Sequence, residues 1–314
     1  MSHLPAANRE LRQQLATAYR QACLSELDAL KPGNVHRYSD GHGMTLEDFI
    51  TSAEVSAKPL TAPEFGMGER IYRAVEATRE AVGCNTNLGI LMLCAPLVQA
   101  LLDGNQVPGT LHERVRNLLK QVDETETAWL FRAIQLAAPG GLGSSEQHDV
   151  SDAPKAPLIE IMSHAAERDL IARQYSTGFS TLFEDALPRL RDFETQWQSK
   201  RWAITGLYLS LLARFPDTHI QRKHGIYKAI GISLHAAELV QQLSRMDKPE
   251  HYHLRLLQVD TEFKRKGINP GTSADMTVAT LFISHLESML PVFEQKAGFS
   301  RVRDSLPKEV GVRN

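Results

Sequence analysis

Cysteine is scarce in this chain: its 314 residues hold three, Cys23, Cys84 and Cys94. None forms a CxxC pair, which argues against a disulfide framework and against a cysteine zinc site. No apolar run reaches the roughly 20 residues that a membrane span needs. The most apolar stretch, Leu88–Leu102, carries Pro96 and Gln99 and reads as a buried core helix. The first residues, Met1 to Glu10, lack the basic and apolar regions of a secretory signal, so a cytoplasmic location without membrane contact is expected. Basic charge is not in excess either. Lys and Arg total 35 against 37 Asp and Glu, and a nucleic-acid protein held by a broad basic surface is not expected.

Familiar catalytic signatures are also missing. The chain has no GxxxxGK[ST] phosphate loop, no GxGxxG after a strand, no HExxH and no G-x-S-x-G, so their mechanisms have no foothold. His251-Tyr252-His253 does not read as a metal pair, because side chains two apart on a helix diverge by about 200°.

What is present is helical periodicity. Leu11, Leu15, Ala18 and Ala22 share one stripe that stops at Lys31-Pro32-Gly33, and Thr45/Asp48 and Thr61/Glu64 resemble helix-start capping boxes. Further helices are expected at 67–82, 87–102, 110–121, 123–137, 157–175, 199–214, 222–244, 250–266 and 273–290. Segment 176–198 is weakly periodic and could link two halves, but a continuous domain over residues 1–314 is preferred. The fold class is all-α.

Three Pro-Gly turns interrupt the helices: Lys31-Pro32-Gly33-Asn34, Ala138-Pro139-Gly140-Gly141 and Asn269-Pro270-Gly271-Thr272. The third leads into an apolar run, so Thr272 or Ser273 could cap a helix whose open N–H groups suit a phosphate. Beside these breaks stand acid–histidine pairs: Asp40-Gly41-His42, His148-Asp149 and Asp217-Thr218-His219, with Asp275 after the third turn. Carboxylates can hold Mg²⁺ and histidine can move protons near neutral pH. Lys31, Arg222 and Lys223 accompany the same segments and could grip phosphate.

At these positions the sequence resembles the triphosphoribosyl-dephospho-CoA synthase family. The resemblance rests on Lys31-Pro32-Gly33-Asn34-Val35, Asp40-Gly41-His42-Gly43-Met44, Asn85-Thr86-Asn87-Leu88-Gly89, Asp217-Thr218-His219 and Asn269-Pro270-Gly271-Thr272-Ser273-Ala274-Asp275. It departs from the family pattern at Asn87-Leu88, where His-Lys is usual, and after His42, where Gly43-Met44 follow directly.

The resemblance implies an all-α enzyme that joins ATP to 3′-dephospho-CoA and expels adenine, the acceptor 2′-hydroxyl attacking ribose C1′. Asp149, Asp217 and Asp275 are then expected at a Mg²⁺ ion, directly or through water. Asp40 or His42 would deprotonate the acceptor, and His148 or Glu146 would protonate the leaving base. Lys31, Arg222, Lys223 and the Gly271-Thr272-Ser273 turn would hold phosphate. Asn85 and Asn87 would bind ribose or adenine, or Asn87 would cap a helix. The partners are ATP and a dephospho-CoA-like acceptor, with homo-oligomerisation left open. Three alternatives stand beside this reading: a Mg²⁺-dependent nucleotide or ADP-ribose-like glycoside hydrolase, a related transferase with an acceptor from one-carbon cofactor synthesis, and a non-catalytic helical CoA-binding or scaffold module.

Overall fold

The computed structural model describes residues 6–103, 109–140 and 149–296. They form fourteen α-helices, with no strand among the described residues beyond isolated bridges in the loop of residues 36–44. The fold is all-α. In chain order the helices are α1 (Ala6–Asp28), α2 (Leu46–Leu60), α3 (Met67–Val82), α4 (Leu88–Leu102), α5 (Leu111–Leu119), α6 (Glu124–Ala137) and α7 (Leu158–Ala165). There follow α8 (Leu170–Ser176), α9 (Leu187–Trp197), α10 (Lys200–Arg214), α11 (Thr218–His224), α12 (Ile226–Leu243), α13 (His253–Arg265) and α14 (Gly271–Lys296).

Three of these helices are apolar on nearly every side, the pattern of a helix surrounded by others. Helix α4 buries all but three of its residues, as its composition leads one to expect, and α10 and the first half of α14 are similarly enclosed. Around them α1 packs on α2 and α14, α3 on α2 and α6, and α10 on α9 and α12. One apolar cluster runs continuously from Leu15 to Leu286. No described helix is long and apolar enough to cross a membrane.

Local signals explain several helix ends and mislead at others. The Thr45/Asp48 capping box forms at the start of α2. The Thr61/Glu64 box does not: Thr61 ends α2, donating its hydroxyl to Ala57 O at 2.9 Å, and α3 starts only after Gly66. The expected helix 157–175 breaks between α7 and α8, and 222–244 breaks at Gly225, whose φ of +84° no helix accommodates.

Segment 176–198 is structural rather than a linker. It turns at Phe179 (φ +65°), makes one π-helical stretch over Thr181–Ala186 and runs on as α9, burying Leu182, Leu187, Leu190 and Phe193. A π-turn closes on i+5 and shifts the apolar stripe around the helix, which erases the 3.6-residue rhythm.

Candidate active site

The first and third Pro-Gly turns lie against each other. Lys31 is fully buried and donates to the Glu26 carboxylate and, at 3.1 Å, to Asn34 Oδ1. Burial pulls Glu26 up and Lys31 down in pKa, each partly offset by the other's charge. Asn34 Nδ2 donates to Asn269 Oδ1 at 2.9 Å, tying the two turns together. Gly33 sits at φ +89°, and a Cβ there would lie 2.9 Å from both Ile268 O and Pro270 Cδ. Only glycine both adopts that backbone and fits that gap.

Asp260 of α13 anchors the same turn. Its Oδ1 accepts from Gly33 N at 2.9 Å and lies 3.1 Å from Lys264 Nζ and 3.3 Å from His36 Nε2. Burial works against its charge, yet these partners prevail and hold the carboxyl below its ordinary range.

Asp217 joins two helix starts. Its Oδ1 accepts from His219 N (2.9 Å) and Ile220 N (3.1 Å), and its Oδ2 from Ser273 N (2.7 Å) and Ser273 Oγ (2.8 Å). A single buried carboxylate thus caps α11 and the first turn of α14. Burial still raises its pKa, against the pull of those donors.

This geometry revises two expectations. Asp217 does not line the cavity described below, and both its oxygens are engaged, so it positions helices rather than facing a cation. The start of α14 is not an open phosphate cradle either. Helix α14 begins at Gly271, with Thr272 and Ser273 inside its first turn instead of capping it. Gly271 N faces Asn269 O at 2.9 Å, Thr272 Oγ1 pairs with Thr218 Oγ1 at 3.1 Å, and the Asp217 carboxylate occupies the anion position at Ser273.

Beside these turns opens a cavity of about 530 Å³. Its polar wall includes Glu26, Asn34, Asn269, Asp275 and the Asp169–Arg222 ion pair. Arg222 Nη1 donates to Asp169 Oδ2 at 2.8 Å, while Asp169 Oδ1 caps α8 by accepting from Ile171 N and Ala172 N. The apolar wall carries Phe131, Ile134, Ile161 and Met162, from α6 and α7. Asp275 reaches the first turn of α4, where a Cβ on Gly89 would lie 2.1 Å from its Oδ2. Burial pushes the Asp275 carboxyl well up, and the nearby charges of Asp217 and Glu26 push the same way. His219 also lines the cavity; burial, with Arg222 and Lys223 beside it, lowers its pKa to about 4 and keeps the ring neutral.

The other residues singled out in the sequence separate into three groups. Asn85, Asn87, Asp149, Gly271 and Thr272 join Arg222 and Asp275 on the cavity wall. Asn85 Oδ1 caps α4 by accepting from Leu88 N at 3.1 Å, whereas Asn87, at the N-cap position, turns its amide to Thr78 Oγ1 (3.0 Å) and Ser56 Oγ (3.3 Å).

Lys31, Asp40, His42 and Lys223 do not line the cavity, and Lys31, buried and engaged by Glu26 and Asn34, is not open to phosphate as expected. Asp40 is exposed and its Oδ1 accepts from Leu46 N at 2.7 Å; His42 Nε2 donates to Gly33 O at 2.7 Å. Both hold the loop between α1 and α2, and neither faces the cavity as a base. Glu146 and His148 lie outside the described residues.

No three His, Cys, Asp or Glu side chains among the described residues stand close enough to hold a metal by themselves. The donor set fits a hard cation only in the manner of Mg²⁺, which takes one or two carboxylates and completes its shell with substrate phosphate and water.

Compared with known families, residues 12–292 match the profile of the ATP:dephospho-CoA triphosphoribosyl transferases (CitG). The chain belongs to this family. Among solved structures it is similar to a protein of Archaeoglobus fulgidus described as a candidate triphosphoribosyl-dephospho-CoA synthase. The two share 26% identity and superpose with a TM-score of 0.56, over 74% of this chain and 96% of the other. No curated protein matches the chain.

In this CitG-family chain, sequence reasoning passed over Glu26, Asn34, Asp169 and Asn269 as site residues, and it noted His219 in an acid–histidine pair without giving it a role. Asn34 and Asn269 sat inside motifs already singled out, so the signal was present. Asp169 precedes an apolar run as a helix cap would. Glu26 carried no signal, being one acid within a long amphipathic helix.

Proposed function

We propose that the protein transfers the triphosphoribosyl group of ATP to the 2′-hydroxyl of a 3′-dephospho-CoA-type acceptor, releasing adenine, and that the cavity between α1, α4, α6, α7, α8, α11 and α14 is its active site. One observation carries the reading: four segments far apart in sequence, around Asn34, Asn87, Arg222 and Asp275, border one cavity with a polar and an apolar wall. Membership of the CitG family supports the donor and the acceptor class.

The polar wall takes the triphosphate. Arg222, oriented by Asp169, offers its guanidinium to phosphate oxygens. Asp275, with Glu26 near it, is the carboxylate for a divalent cation, since crowding by like charge is what such a cation relieves. A Mg²⁺ bound there would neutralise phosphate charge.

Two bonds change: C1′–N9 of ATP breaks and C1′–O2′ of the product forms. The hydroxyl's proton is the one adenine takes up. A single carboxyl able to hold that proton in either direction suffices, and Glu26 qualifies because burial favours its protonated form while Lys31 favours the charged one. A carboxylate beside C1′ also steadies the positive ribosyl centre, as in glycoside cleavage. His219, neutral at working pH, contributes a hydrogen bond rather than a proton. The apolar wall takes the adenine ring.

The test is mass analysis of products from ATP, Mg²⁺ and 3′-dephospho-CoA. The expected result is an acceptor heavier by one triphosphoribosyl unit together with free adenine. Adenine released equally without acceptor means a glycoside hydrolase, and no adenine under any condition ends the transferase reading.

A further inference from the structure

Helix α12 is apolar on two opposite faces, and only one of them meets the core. Ala229, Ile232, Ala236, Leu239 and Leu243 are buried. On the other side Tyr227 is 89% exposed, Leu234 65% and Ile230 39%. At about 100° per residue these three fall within about 60° of arc, nearly opposite the buried stripe. Next to them Gly231 interrupts the helix interior, where alanine is the better helix former. No φ value requires glycine there, and a Cβ would meet nothing within 4 Å. The residue leaves an open notch beside Ile230.

We infer that this face is the twofold interface of a homodimer, in which α12 crosses α12 of a second copy antiparallel at Ile230 and Gly231. The stripe complements its own reverse. Turned about the midpoint between those two residues, each Ile230 faces the other copy's Gly231 notch, and each Tyr227 faces Leu234, the isologous pattern of a twofold contact. Charge selects the same orientation. Exposed Lys228 lies near the amino end of α12 and exposed Glu238 towards its carboxyl end. Antiparallel pairing brings base to acid, where parallel pairing would set lysine on lysine. Helix α12 contributes nothing to the cavity wall, so this inference stands or falls independently of the transferase reading.

Sedimentation velocity on the purified full chain, at tens of micromolar, is expected to give twice the 35.0 kDa chain mass. Leu234→Glu introduces an unpaired charge, and Gly231→Leu fills the notch; each weakens association about 100-fold or more. Both positions are exposed, so far-UV circular dichroism should remain that of the parent. Ile230→Cys, next to the twofold, should give a disulfide-linked dimer on mild oxidation when Cys84 is replaced by serine. A monomeric parent at that concentration overturns the inference, and so does a dimer that persists in both Leu234→Glu and Gly231→Leu.

Discussion

Asp217 and Ser273 are 56 residues apart in sequence, yet one carboxylate oxygen of Asp217 accepts from both the amide and the hydroxyl of Ser273, at 2.7 and 2.8 Å. With its other oxygen on α11, Asp217 fixes the angle at which α11 presents Arg222 and His219 beside the start of α14. Asp217→Ala leaves buried donors without an acceptor and should cost about 2–4 kcal/mol in urea unfolding. Activity should fall with the folded fraction. A variant of unchanged stability would mean that the double cap is not what holds these helices.

Asp275 differs in kind, because its charge is unfavourable in the fold. Its carboxyl is raised by burial and by neighbouring acids. Between the ordinary carboxylate range and that raised value the native state keeps a proton that the unfolded chain has released. Stability from this group is therefore present at low pH and lost as pH climbs through the raised native value. Asp275→Asn should flatten that slope, stabilise the apoprotein at neutral pH and abolish turnover. Urea midpoints across pH check the first two.

The same residue decides the response to cation. Mg²⁺ at about 100 times its dissociation constant should stabilise the parent by about 2.7 kcal/mol, read as a rise in melting temperature. Asp275→Asn should lose that rise. A Mg²⁺ shift of equal size in both proteins would move the cation away from Asp275.

Gly89 gives the Asp275 carboxylate its place. An alanine methyl would stand 2.1 Å from Asp275 Oδ2, so Gly89→Ala must swing the carboxylate away. Misplacement of about 1 Å can cost roughly 100-fold in kcat, while the helix gains up to about 1 kcal/mol of propensity. A Gly89→Ala protein that is fully active would remove Asp275 from the reacting centre.

Arg222→Ala should lower kcat/KM for ATP roughly 10- to 100-fold, matching the ~1.5–3 kcal/mol of a hydrogen bond to a charged group. Arg222→Lys should recover only part of it, since an ammonium cannot reproduce a planar fork. Equal steady-state constants in all three proteins would exclude Arg222 from triphosphate binding.

Much of the fold follows from local chemistry that a reader of the chain can apply. The apolar density of Leu88–Leu102 makes α4 a core helix, and Thr45 with Asp48 starts α2. Local chemistry misleads where one residue has two uses. Thr61 has the hydroxyl of a helix start but closes the helix before it, and the π-turn at Thr181–Ala186 hides a buried helix behind a shifted stripe.

The sequence by itself determined which residue types were available, namely helices built around an apolar centre and motif segments rich in acid, amide and base. Only the tertiary structure decided their parts. It set Asp217 and Asp260 to holding backbone, brought Asp275 against Gly89, turned Asp40 and His42 away from the cavity, and admitted Glu26 to its wall. The reason is that a carboxylate's role depends on which donors reach its oxygens and how much water remains, and both are fixed by segments distant in the chain, 56 residues away for Asp217 and 227 for Asp260.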